Sequence, residues 1–183
     1  MVAMIWFSEG ERIGLRALRA DDVPRWTQWF NDPAVTADLN KGLYPNTEAS
    51  QAEFFERIHA SRHDVLLGIA ALRIPAGELV GVIGLHHIDW VHRRADISIV
   101  IGEASSHGQG FGTEAIRLIT AHAFDTLNLH KVTAGMWATN LGSRRAFEKA
   151  GFVLEATIRQ SYWHRDRYVD EWRLGLLAEE WRG

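Results

Sequence analysis

Ile99-Val100-Ile101-Gly102-Glu103-Ala104-Ser105-Ser106-His107-Gly108-Gln109-Gly110-Phe111-Gly112-Thr113 is the stretch that decides the fold. A β-branched run ends, a short spacer follows, and alternating glycines open a segment with helical periodicity from Thr113 to about Thr126. A strand that feeds a helix through glycines makes an anion site. The first N–H groups of the helix have no intrahelical partner, they converge, and the helix dipole adds roughly half a positive charge. Glycine lets the backbone approach phosphate oxygens where a Cβ would clash. The same letters also describe a tight connection without a ligand, and the local pattern leaves both open.

Two common phosphate sites do not fit. A P-loop closes on Gly-Lys-Ser/Thr, whereas Thr113 follows Gly112 with no lysine. The dinucleotide fingerprint needs a third glycine at the sixth position, where this chain has Thr113. It also needs an acidic residue about 20 residues on, and the next strand ends Trp137-Ala138-Thr139-Asn140. A nucleotide hydrolase is excluded, and a dinucleotide enzyme is the weaker alternative.

Outward from this centre the chain alternates elements. Arg12–Leu18 reads as a first strand, with Asp21 or Asp22 capping a helix over Val23–Phe30 that Asn31-Asp32-Pro33 ends. Asn46 or Thr47 starts a second helix to about Ser61, with Phe54, Phe55 and Ile58 on one face. Strands follow at Val65–Ile74, Leu79–His87 and Ala95–Ile101, the first two joined by a hairpin at Pro75-Ala76-Gly77-Glu78. Beyond the glycine-opened helix come a strand at Lys131–Trp137 and a helix from Asn140 to Ala150 with Gly151 as its C′ residue. Strands at Phe152–Ile158 and Val169–Leu176 close the chain around a polar turn at His164–Arg167. This is a mixed α/β (α+β) order, not a strict βαβ alternation.

Composition removes whole classes. The 183 residues carry 20 Lys plus Arg against 23 Asp plus Glu, a net charge of −3, without the basic excess of a nucleic-acid binder. No cysteine means no thiol nucleophile, disulfide, thiolate zinc site or iron–sulfur cluster. The apolar runs Val65–Leu72 and Leu79–Leu85 fall far short of the ~20 residues a spanning helix needs. Met1–Phe7 lacks the basic start and cleavage site of a signal peptide. The expectation is one cytoplasmic domain over residues 1–183, with no linker, repeat, membrane partner or nucleic-acid partner. Eight tryptophans are the compositional oddity.

The segment His107-Gly108-Gln109-Gly110-Phe111-Gly112 resembles the acetyl-CoA pyrophosphate loop of the GCN5-related N-acetyltransferases (GNAT), written Q/R-x-x-G-x-G/A, with His107 where Gln or Arg is usual. Asn140 through Ser143, Phe147, Gly151 and Phe152 resembles the family's second motif, N-x-x-A/S-x-x-x-Y-x-x-x-G-F, about 30 residues downstream and after a strand. Asn31–Val35, Gly108–Ala115 and the tail Arg167–Trp181 are similar to the RimJ/RimL branch. The resemblance implies a mostly antiparallel sheet of about seven strands flanked by about four helices. A splay between the fourth and fifth strands, Ala95–Ile101 and Lys131–Trp137, admits CoA.

The function so implied is direct acetyl transfer from acetyl-CoA to a primary amine: a protein N-terminus, or a polyamine, amino sugar or aminoglycoside. A non-catalytic acyl-CoA-binding module is the alternative. The resemblance assigns Ile99, Val100 and Ile101 to the pantetheine by main-chain pairing. It assigns His107, Gly108, Gln109, Gly110, Phe111, Gly112 and Thr113 to the pyrophosphate loop. Asn140 is expected on the pantetheine arm or as a plain N-cap, and Ser143 on the sulfur or as a small first-turn residue. Phe147 stands where many members have a proton-donating tyrosine. Its loss is tolerable, because a thiol of pKa about 8.5 leaves without full protonation. For the base, Asp96 is the first candidate, with His86 and His87 on the neighbouring strand as alternatives. No metal is expected, since His59 and His63 lack a third ligand. Trp26, Trp29 and Phe30 read as core, while Trp90, Tyr162 and Trp163 are candidate walls of the acceptor pocket. A homodimer is common among resembling proteins, with no residue pattern here that establishes one.

Overall fold

The computed structural model describes residues 5–39, 44–73 and 77–182. Its elements run β1 (Ser8–Glu9), β2 (Ile13–Ala17), α1 (Val23–Asn31), α2 (Pro33–Thr36), α3 (Glu48–Ala60), β3 (Val65–Ala71), β4 (Glu78–Asp89) and β5 (Arg94–Ile101). They continue with α4 (Phe111–Ala121), β6 (Lys131–Trp137), α5 (Leu141–Lys149), β7 (Val153–His164) and β8 (Arg167–Leu177). One eight-stranded sheet has the order β1-β2-β3-β4-β5-β6-β8-β7. Every neighbouring pair is antiparallel except β5 and β6.

The parallel pair is the fold's decisive irregularity. Arg94, Ala95 and Asp96 pair with Lys131, Val132 and Thr133, and the register stops there. Beyond it, β5 follows β4 up to Ile101 opposite Gly81, while β6 follows β8 up to Trp137 opposite Glu171. The strands part into a V closed at Asp96 and Thr133. This is the expected splay, although the short β1 makes its walls the fifth and sixth strands and brings the sheet to eight.

Each face of the sheet has its own cover. On one, α4 buries Ala115, Ile116 and Ile119 against Ile83, Leu85, Ile97, Val132 and Ala134, with Ile99 and Ile101 packed alongside. Each buried isoleucine there contributes roughly 1.5–3 kcal/mol. On the other, Trp26, Trp29 and Phe30 of α1 pack with Leu18, Leu79 and Val82, joined by Phe54 and Phe55 of α3. The tryptophan spacing on α1 was that of a core face, and the core is where both rings lie.

Several boundaries differ for local physical reasons. Asp22 does not cap α1: its carboxylate takes two hydrogen bonds from Arg16, at 2.7 and 2.8 Å, and one from the Arg19 amide. Asn31-Asp32-Pro33 ends one helix and starts another, because Asp32 accepts from the Ala34 amide and Pro33 suits a first helical position. The helix expected from Thr113 begins at Phe111 and ends in a π turn over His122–Thr126. β7 and β8 outrun the expected strands and meet at a turn containing Arg165, whose φ is 57°. The hairpin residues Pro75 and Ala76 lie outside the described residues, as do Met1–Met4 of the apolar start.

Candidate active site

The glycine loop turns tightly into the N-terminus of α4. Gly108 and Gly110 have φ of 74° and 83°, a region that favours glycine, and Gly110 is the N-cap of α4. The first helical bond runs from the Glu114 amide to the Gly110 carbonyl. The amides of Phe111, Gly112 and Thr113 precede it and have no intrahelical acceptor. A Cβ on Gly112 would lie 3.9 Å from Ala146 of α5 and 3.9 Å from Ile99 of β5, so this helix end looks into the V. His107 and Gln109 hold the loop, not the space before it: the imidazole Nε2 contacts the Ile101 carbonyl at 2.9 Å, and the Gln109 amide donates to the Ser105 carbonyl.

Arg12 and Glu114 brace the loop, and sequence reasoning missed both. One Glu114 carboxylate oxygen accepts from the amides of Glu11 and Arg12, at 2.6 and 2.9 Å, and the other from Arg12 Nε at 2.9 Å. Burial works to raise the Glu114 pKa, but the donors from Arg12, Ile13 and Glu11 outweigh it and hold it below the usual glutamate value. Arg12 then donates to the Gln109 carbonyl at 3.0 Å, with half of its side chain exposed. A guanidinium held by an ion pair thus sits beside the loop. The two residues are about 100 positions apart, so no local pattern announces the pair.

Across the V, Asn140 accepts from the Ser143 amide at 3.0 Å and caps α5, leaving its amide nitrogen for a ligand. Ser143 is half-buried one turn above Phe147. Phe147 is buried in the core, edge-on to Phe152 with ring centroids 5.0 Å apart.

The polar candidates gather on the sheet face opposite α4. Ile97, Ile99 and Ile101 point to the α4 core, so Asp96 and Ser98 point away from it, beside their cross-strand partners His86 and Gly84. Asp96 sits at the closed end of the V, accepts from the Thr133 hydroxyl and lies 3.4 Å from His87 Nδ1. His86 contacts Ser98 Oγ at 2.8 Å through Nε2 and Asp64 Oδ1 at 3.2 Å through Nδ1. Burial pushes the His86 pKa down, with Asp64 acting against it. Asp64 is held low despite its own burial, by hydrogen bonds from Ser61, the His87 amide and His86. Asp64 and Ser98 were not expected from the sequence.

The aromatic candidates separate. Trp137, at the open end of β6, packs against Tyr162 and His164 at 5.3 and 5.0 Å. Trp163 stacks edge-on to Tyr168 near the β7–β8 turn. There Asp38, Thr139, His164, Arg165, Asp166 and Arg167 line a cavity, with Thr139 donating to Asp38 at 2.6 Å. Trp90 instead lies in the β4–β5 turn, beyond the closed end of the V, its indole donating to the Arg62 carbonyl. It is therefore not brought to the open mouth. His59 and His63 spend a ring nitrogen each on the carbonyls of Phe55 and Ile88.

Residues 12–153 match the acetyltransferase (GNAT) domain family. A spermidine N(1)-acetyltransferase from Vibrio cholerae is 31% identical over 154 residues, spanning 84% of this chain and 80% of that protein. A Bacillus subtilis (strain 168) protein named "Putative ribosomal N-acetyltransferase YdaF" is 34% identical over 159 residues, 87% of this chain and 80% of its own length. Among solved structures, the spermidine N-acetyltransferase from Vibrio cholerae in complex with CoA and spermine superposes with a TM-score of 0.82 at 22% identity. That match covers 92% of this chain and 96% of the other.

Proposed function

The chain belongs to the acetyltransferase (GNAT) domain family, and on that premise we propose that it acetylates a cationic primary amine by direct transfer, as a member of the RimJ/RimL-like branch. It is an N-acetyltransferase and its cosubstrate is acetyl-CoA. The observation that carries the reading is the V beyond Asp96 and Thr133, with the N-terminus of α4 at its mouth. Here Ile99–Ile101 offer a backbone edge for the pantetheine amides. The amides of Gln109–Thr113, with Arg12 beside them, offer donors for the pyrophosphate. Asn140 has an amide nitrogen for the pantetheine, and Ser143 a hydroxyl for the sulfur.

On the opposite face Asp96 and Asp64 supply counter-charge for an acceptor ammonium. The amine nitrogen attacks the thioester carbonyl, the C–S bond breaks, and an amide and CoA result. An oxyanion donor from the β5 backbone would supply about 2.7–4 kcal/mol of barrier lowering, the usual worth of one such group. Acceptors that fit include polyamines, amino sugars, aminoglycosides and a protein α-amine, the relatives' names supporting the first and last. The reading includes one cytoplasmic domain over residues 1–183, a homodimer, and no nucleic-acid or membrane partner. No helix among the described residues is long and apolar enough to cross a membrane.

The test is release of free CoA from acetyl-CoA with spermidine, spermine, glucosamine, an aminoglycoside and a ribosomal N-terminal peptide. Acceptor-dependent release with at least one amine is expected. Tight CoA binding with no acceptor-dependent release across the set would overturn the proposal in favour of a binding module.

A further inference from the structure

We propose that Asp64, His86 and Ser98 form a proton relay for this transfer, in which the Ser98 hydroxyl meets the acceptor ammonium and His86 receives the proton. The proposal rests on the amine-acetylation reading and names how that reaction obtains its neutral nucleophile. Ser98 is the second residue of β5 above the last pairing with β6 and is exposed on the acceptor face of the open V. Behind it, His86 Nε2 is 2.8 Å from Ser98 Oγ, and His86 Nδ1 is 3.2 Å from Asp64 Oδ1. Ionised Asp64 can only accept, so Nδ1 carries the imidazole proton and Nε2 is left to accept from Ser98.

Two features hold the chain in line. Asp64 is fixed by the Ser61 hydroxyl at 2.7 Å and the His87 amide at 3.3 Å. The imidazole lies over Gly84, the cross-strand partner of Ser98, where a Cβ would stand 2.8 Å from Nε2. Burial keeps His86 below its usual 6.5, so at neutral pH it is an unprotonated acceptor. The titratable groups facing it are Asp64 from the segment before β3, His87 on its own strand and Asp96 from β5.

The step balances. The ammonium gives one proton to Ser98 Oγ as the Ser98 hydroxyl proton passes to His86 Nε2, leaving a neutral amine, an intact serine and an imidazolium. The amine forms the N–C bond and the C–S bond breaks. The second nitrogen proton goes to the departing thiolate, and His86 returns its proton to solvent. Ser98 is then the catalytic residue in contact with substrate, His86 the base behind it, and Asp64 a positioning residue.

The experiment follows kcat and KM against pH with spermidine as probe amine, for wild type, H86Q, S98A, S98T and D64N. H86Q should lose about 10²-fold or more in kcat near pH 7, the usual yield of a general base, with KM for acetyl-CoA unchanged. That deficit should shrink about tenfold per pH unit towards ~10.4, as the amine deprotonates itself. S98A should behave likewise, S98T should recover most of the rate, and D64N should move the acid limb to lower pH. Independently of any acceptor, ¹⁵N NMR of the His86 ring should show Nδ1–H at neutral pH and titration below 6.5. A pH-independent H86Q deficit, an Nε2–H tautomer, or an acetylated Ser98 trapped by mass spectrometry would each overturn the relay. Wild-type inactivity towards every amine tested would instead count against the amine-acetylation reading.

Discussion

Replacing Gly112 with alanine should make the free protein more stable and the enzyme worse at holding CoA. Gly112 has ordinary helical φ and is the second residue of α4, so nothing in its backbone requires glycine. A Cβ built there meets Ala146 and Ile99 at 3.9 Å and Ile101 at 4.0 Å, all ordinary contacts. Alanine is therefore free to contribute its helical advantage of about 0.5–1 kcal/mol. For a chain of this size that raises Tm by about 1–4 °C. The added methyl, however, points between β5 and α5, into the V beside the unpaired amides of the first turn. If the pyrophosphate lies there, the methyl keeps its oxygens from the backbone, and a tenfold loss of affinity corresponds to about 1.4 kcal/mol. Differential scanning calorimetry of the free protein and titration calorimetry with CoA read the two effects separately. A raised Tm with unchanged CoA affinity would refute the placement of the anion site. A lowered Tm would refute the packing of α4 against α5.

Glu114→Gln should weaken CoA binding several-fold and cost about 1–3 kcal/mol of stability, because it removes the charged acceptor shared by the Glu11 and Arg12 amides, just before β2, and the Arg12 side chain, read by calorimetry as above. Asp22→Ala should cost about 3–5 kcal/mol in urea unfolding, since it strands Arg16, whose side chain is 2% exposed. In acid the signs agree: against the opposing effect of burial, hydrogen bonds and cations hold Asp22 below its usual 3.8 and Glu114 below 4.5. Their stabilisation is complete above those values and drains as pH falls through the folded ones, so urea midpoints should drop below about pH 4. D22N should flatten that fall. CoA at 100 times its Kd should add about 2.7 kcal/mol to stability and raise Tm, whereas NAD at equal concentration should leave Tm unchanged.

The sequence reveals the site where its parts are local, and hides it where they are assembled by the sheet. The Gly108–Gly112 turn, the Asn140 cap and the periodic α4 depend on neighbours within a few positions, and their letters carry the geometry. The Arg12–Glu114 brace and the Asp64–His86–Ser98 chain depend on register instead. His86 lies beside Asp96, and Gly84 opposite Ser98, only because β4 and β5 pair as they do, and sequence alone does not specify that pairing. β7 outruns the strand its letters announce for a related reason. Its residues are mostly exposed along an edge strand, so the alternation that marks a half-buried strand is missing.

The net charge of −3 also takes a place in the structure. CoA is an anion and the proposed acceptor a cation, so a uniformly acidic or basic surface would favour one and repel the other. The two faces of the V resolve this by separating the signs. Isoleucines 97, 99 and 101 carry the α4 side, where the helix N-terminus supplies partial positive charge beside the Arg12–Glu114 pair. Asp96 and Ser98 alternate to the other side, where Asp96 and Asp64 gather negative potential. In the proposed reaction one strand would therefore present a donor edge to the cofactor and a proton-accepting face to the amine. The burial of Phe147 fits this division of labour. Under the proposed relay the acceptor is deprotonated on the far face, so the thiolate would take the remaining amine proton itself and a tyrosine acid at that position would be dispensable.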